Sequence, residues 1–124
     1  MEPPSHIAKL LEHLAQFKPE LTAADDAHRL QFGRDMKLVK VLWPKHASEV
    51  FLDFMKGGQL LLAESVECYE NETGPEQAED VARIVENFLL NEVKVAELGT
   101  FLKRKELQSL RGGKWLSVFE STAQ

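Results

Sequence analysis

Ile7, Leu10, Leu11, Leu14 and Phe17 recur at the spacing of one stripe along an α-helix, with Lys9, Glu12 and Gln16 on the opposite side. Such a helix covers a core on one side only. Ser5 is placed to cap it and Pro19 to stop it, which predicts a helix from about His6 to Lys18. Residues 20–32 allow two readings. Thr22 with Asp25 can cap a short helix through Leu30, whereas Leu30 and Phe32 alternate as in a strand ahead of a Gly33-Arg34-Asp35 turn. The alternation favours the strand.

A β region follows. Met36 to Trp43 is rich in Val and Leu and ends at Pro44, and Glu49 to Met55 places Val50, Leu52 and Phe54 on one face. Lys56-Gly57-Gly58-Gln59 reads as a hairpin turn. Leu60 to Tyr69 is then a third strand of a meander, with Leu60, Leu62, Val66 and Cys68 on one face, interrupted by Glu64. Thr73-Gly74-Pro75-Glu76 is a helix start, because proline suits the first helical position and Glu76, Glu79 and Asp80 complement the helix dipole. The stripe Val81, Ile84, Val85, Phe88 and Leu89 carries this helix to about Leu90, with Glu79 four residues before Arg83 on the wet side. Three more strands fit Val93 to Leu98, Phe101 to Leu107 and Trp115 to Phe119, with turns at Gly99 and at Arg111-Gly112-Gly113. Residues 1–5 and 121–124 are expected to fray.

The pattern predicts one α+β domain over residues 1–124: an antiparallel sheet of about six strands with two main amphipathic helices packed on it, in the order α-(β)βββ-α-βββ. Composition supports a real core, since 44% of the residues are hydrophobic and 28% charged. The longest apolar run, Leu60 to Ala63, is strand-sized, far short of the roughly 20 residues that span a bilayer. The first five residues carry an acid and two prolines where an export signal needs bases and then an apolar stretch. Cys68 is the only cysteine, so no internal disulfide forms and a reducing, cytoplasmic setting is expected.

Charge changes the picture most. The net charge of −5 argues against nucleic acid as a partner, because phosphate neutralisation needs clustered bases. Between Gly57 and Ala82 there is no Lys or Arg, while Glu64, Glu67, Glu70, Glu72, Glu76, Glu79 and Asp80 all fall there. Lys94, Lys103, Arg104, Lys105, Arg111 and Lys114 make the C-terminal third comparatively basic, diluted by Glu97 and Glu106. An acidic side and a mildly basic one are expected.

Candidate chemistry is sparse. His6 and His13 stand two helical turns apart, about 10 Å along the axis, too far to share a metal ion readily. His28 and His46 lie in loop-like contexts without ligand spacing, and read as surface residues. Cys68 lies between Glu67 and Glu70, whose charges raise a thiol pKa when catalysis needs it lowered. No serine sits in a Gly-x-Ser-x-Gly elbow, and the glycine pairs lack phosphate-loop spacing. Asp53 and Glu64 are the carboxylates best placed to act as acid or base in a pocket, Glu64 above all if the strand turns it inward. The plainer reading of Glu64 is an edge-strand charge that blocks aggregation. Trp43 and Trp115 are expected in core corners.

These readings point to no catalytic residue, no metal and no cofactor. The function expected is that of a small acidic binding protein that neutralises a basic partner protein, as immunity proteins, antitoxins and inhibitors do. Glu67, Glu70, Glu72, Glu76, Glu79 and Asp80 are the expected partner-binding residues, since opposite potentials steer association. Neither nucleic acid nor membrane is an expected partner. One alternative is a small-molecule-binding or hydrolytic domain, with Glu64, Asp53 and a histidine in a pocket between sheet and helices. Another is a homodimeric adaptor or chaperone-like subunit that pairs through an exposed sheet edge or face.

Overall fold

The computed structural model describes residues 4–23, 26–45, 49–67 and 74–120. Helix α1 spans Ser5–His13. The Pro4 carbonyl already accepts the Ala8 N–H at 2.9 Å, so Pro4 is the cap residue and Ser5, expected in that role, is the first helical residue. The helix is also shorter than its stripe implies. After His13 the chain tightens into a single 3-10 turn, Ala15–Phe17, and Lys18 takes a left-handed φ of 54° that reverses direction before Pro19. The tighter turn still swings Phe17 into the core beside Ile7, Leu10 and Leu14.

Strands β1 (Glu20–Ala23), β2 (Ala27–Arg34), β3 (Lys37–Pro44), β4 (Glu49–Lys56) and β5 (Gln59–Glu67) form an antiparallel five-stranded meander in chain order. The strand reading of residues 20–32 therefore holds, with β1 added at the edge. The first hairpin turns at Asp35-Met36. Gly33, expected in the turn, stays in β2 opposite Leu38, and Asp35 supplies the positive φ of 55°. The second hairpin turns at Gly57-Gly58, where φ values of 59° and 82° suit the two-residue connection that matches strand twist.

Between β4 and β5 the register slips: Phe54 faces Leu62, Met55 faces Leu60, and Leu61 is the extra residue of a bulge. The slip corrects the expected alternation. Leu60 is turned outward and is 56% exposed, while Leu61 joins Leu62 and Val66 against the core. Cys68 and Tyr69, expected to continue this strand, lie outside the described residues.

Helix α2 spans Gly74–Leu90, and every member of its predicted stripe is buried. It packs beside α1 on one face of the five-stranded sheet. Between them lie Leu30, Phe32, Val39, Val41, Trp43, Val50, Leu52 and Phe54 from the strands. At the centre Phe88 meets Phe54 with ring centroids 5.1 Å apart, and Phe119 meets the same ring edge-on at 5.9 Å.

The remaining strands, β6 (Val93–Leu98), β7 (Arg104–Arg111) and β8 (Lys114–Ser117), form a separate three-stranded antiparallel sheet. The class is the expected one, α+β with antiparallel strands and two helices, but the order is α-βββββ-α-βββ and the strands divide between two sheets. Side chains from α2 tie the second sheet down. Asn87 donates to the carbonyl of Val118 at 3.0 Å and Arg83 to that of Phe119 at 3.1 Å, while Arg111 of β7 itself donates to those of Ser117 at 2.6 Å and Glu120 at 3.0 Å. These donors hold the chain in a turn after Ser117, so the strand expected to reach Phe119 stops early and Val118 drops into the core. Lys37 performs a matching task at the C-terminal end of α2. Its ammonium donates to the carbonyls of Phe88 (2.7 Å) and Asn91 (2.6 Å), where the helix leaves acceptors unfilled and its dipole favours a cation.

The packing predicts that Phe88→Ala costs about 3–5 kcal/mol, as a large-to-small change at a fully buried site. Urea denaturation of the two proteins measures it; a loss under about 1 kcal/mol contradicts the central place given to this ring.

Candidate functional site

Both helices cover the same face of the five-stranded sheet, so the alternate residues of each strand are left on an open face. Cross-strand pairing sets them in rows. One runs Thr22, Arg29, Leu42, Phe51 and Ser65; the next runs Glu20, Gln31, Lys40, Asp53 and Ala63. The members of these rows on β1 to β4 line a shallow groove of about 520 Å³. Its floor is apolar at Leu42 and Phe51, and Phe51 is 41% exposed. Charges of both signs rim it. Asp53 stands across from Lys40, and Arg29 and Glu20 occupy the β1–β2 side.

Beside Phe51 on the same face, Glu49 of β4 is directly opposite Glu67 of β5. Like charges in direct cross-strand register are unfavourable. Neither carboxylate makes an ion pair within 4 Å among the described residues. The face thus presents an exposed aromatic ring next to two uncompensated acids. That combination recognises a Lys or Arg side chain, by charge and by stacking on the ring.

The described members of the acidic segment fall on two elements, β5 and α2. Glu67 lies on the open face at the end of β5. Glu76 is exposed in the first turn of α2. Glu79 pairs with Lys9 of α1 at 2.6 Å, and that hydrogen-bonded ammonium holds its carboxyl below the usual range. The expected partner of Glu79, Arg83, lies instead 3.7 Å from Asp80 and donates to the Phe119 carbonyl. Glu70 and Glu72 lie outside the described residues, as do Cys68 and His46.

Asp53 and Glu64, the candidate acid–base carboxylates, are on opposite faces: Asp53 on the open one, Glu64 on the core side across from Leu52. Glu64 is nevertheless exposed, because it lies in a crevice of about 260 Å³ shared with Arg104, Lys105 and Phe119. The space between sheet and helices is filled by core side chains. Among the described residues, no group of three or more His, Cys, Asp or Glu is disposed to hold a metal ion. Trp43 is buried as expected, with the His6 ring tilted 44° against it and the centroids 5.0 Å apart. Trp115, expected in the core, is half-buried with the Lys94 ammonium 4.3 Å from its ring centre.

Sequence reasoning missed Glu49, Phe51, Arg29 and Lys40 as a group. The available signal was an aromatic at an outward position of a strand whose inward positions Val50, Leu52 and Phe54 were already filled. Comparison with protein-family models, with curated proteins and with solved structures gives no match. Among the described residues, no helix is long and apolar enough to cross a membrane.

Two expectations follow from these placements. Glu67→Lys converts a like-charge pair into an opposite one, so it should raise stability by about 0.2–1 kcal/mol at low salt; a loss of stability in denaturant titration contradicts the pairing. His6 supplies a pH dependence. Burial, and then the charge of His28, lower its pKa below the ordinary 6.5. The unfolded chain then binds the proton more readily, so stability is full above 6.5 and falls as pH drops below it. His6→Phe keeps a ring against Trp43, and its denaturation midpoint should change less over that range than the wild type's. Equal pH slopes exclude His6 as the source.

Proposed function

We propose that this chain is a non-catalytic binding protein that engages a basic protein partner through the open face of the five-stranded sheet, in the manner of an immunity protein, antitoxin or inhibitor. The observation that supports this reading is the exposed Phe51 beside the uncompensated Glu49–Glu67 pair. A sheet edge carrying two opposed carboxylates loses stability in isolation and gains it when a cation fills the gap. Selection for folding alone would place a neutral or opposite pair there. The groove next to it offers a partner both a ring to cover and a polar rim, the arrangement in which one aromatic anchor dominates binding.

The test starts from affinity capture of a partner from the source cell at low salt, followed by kinetics with the purified pair. Glu49→Lys with Glu67→Lys should slow association about tenfold and flatten its salt dependence, while Phe51→Ala should mainly speed dissociation. Unchanged rates in both variants would sink the reading. A second docking surface is separable in the same assay, because Glu67 also belongs to the acidic segment. If Glu70→Lys with Glu72→Lys slows association and the Glu49/Glu67 pair does not, the acidic segment is the dock and the open face is not.

A further inference from the structure

The loop between β6 and β7 carries the two most exposed large apolar side chains among the described residues: Phe101 is 98% exposed and Leu102 91%. Sequence periodicity assigns both to a strand, yet β7 begins only at Arg104. Gly99 sets the loop that presents them. It adopts a φ of 95°, and a Cβ on it would stand 2.6 Å from the Leu102 carbonyl oxygen, so the chain folds back over a position only glycine fills. Directly behind the pair come Lys103, Arg104 and Lys105, all exposed and without an ion pair within 4 Å among the described residues, although Arg104 and Lys105 also line the crevice that holds Glu64 and Glu106. Glu97 is the cross-strand neighbour of Lys105, and Arg104 has Leu98, which leaves Lys103 and Arg104 without a facing acid on β6.

We propose that this hairpin tip is a membrane-docking point, at which Phe101 and Leu102 insert into the interfacial layer of a bilayer and Lys103, Arg104 and Lys105 meet its anionic headgroups. Geometry favours a lipid surface over a protein one. A buried Phe covers about 150–250 Å², so two residues on a tip fall well short of the roughly 1,000 Å² of a stable protein interface. A bilayer accepts such a wedge without a matching pocket, and bases set just behind it lie at headgroup depth. The net charge of −5 helps to orient the molecule, because an anionic surface repels the acidic remainder and admits the tip first. The sequence expectation of no membrane partner rested on the lack of a spanning segment, which surface docking does not need.

Flotation of the full chain with vesicles tests this, using phosphatidylcholine alone and phosphatidylcholine mixed with phosphatidylserine. The chain should float with the mixed vesicles, less so at high salt, and not with the neutral ones. Phe101→Ser with Leu102→Ser should lower partitioning at least about tenfold, and each base replaced by glutamine should lower it about fivefold. Both residues are exposed, so thermal unfolding should match the wild type and confirm that folding is intact. Absence of flotation, or equal flotation of the Phe101/Leu102 variant, overturns the proposal. So does crosslinking from position 101 that captures a protein while vesicles bind nothing. None of these outcomes depends on the open face of the first sheet, so the two readings fail separately.

Discussion

The placement of α2 is the constraint on which the rest of the molecule depends. Its apolar stripe, with Phe88 against Phe54, closes the core of the five-stranded sheet. Its flank supplies Arg83 and Asn87, which hold the carbonyls of the turn after β8. One helix therefore serves two sheets by two different forces. Apolar burial is non-directional and fastens α2 to the first sheet. Directional hydrogen bonds to otherwise orphaned carbonyls fix where the second sheet's last turn lies. Lys37 completes the arrangement from the first hairpin, capping the C-terminal end of α2 although burial, with Lys56 and Arg34 nearby, lowers its pKa.

Because both helices take one face of the five-stranded sheet, the other face is left to solvent, and its chemistry is free to serve recognition. The buried inward residues Val39, Val41, Trp43, Val50, Leu52 and Phe54 of β3 and β4 are apolar, whereas the outward ones mix Lys40, Leu42, Phe51 and Asp53. A purely solvated face has no need of a half-exposed phenylalanine or of Glu49 facing Glu67. The two features proposed as functional thus share a physical character. Each leaves unfavourable surface in the isolated chain, like charges on one sheet and apolar side chains at the tip of the other, which a partner would relieve.

The distribution of charge follows the same division. Of the acidic stretch, the part on α2 is drawn into the framework: Glu79 joins α2 to α1 through Lys9, and Asp80 neighbours the Arg83 that reaches the last turn. Glu67, on β5, stays at the surface.

What the sequence by itself determined is the local order: both helices, the hairpins at Gly57-Gly58 and Gly112-Gly113, and the inward positions Val50, Leu52, Phe54, Val81, Ile84, Val85 and Phe88. Each follows from periodicity or turn chemistry within a few residues, and needs no knowledge of distant partners. Tertiary structure decided the rest. The bulge at Leu61 reversed Leu60, and a three-residue tight turn cut the first helix short. Loop geometry at Gly99 exposed Phe101 and Leu102 where alternation alone read a strand. The division into two sheets depended on donors from α2 more than thirty positions away in the chain, at the distances between Asn87 and Val118 or Arg83 and Phe119. The candidate site was hidden for the same reason. Glu49, Phe51 and Glu67 are unremarkable in a linear reading, and they become a site only when the register of β4 on β5 sets them side by side.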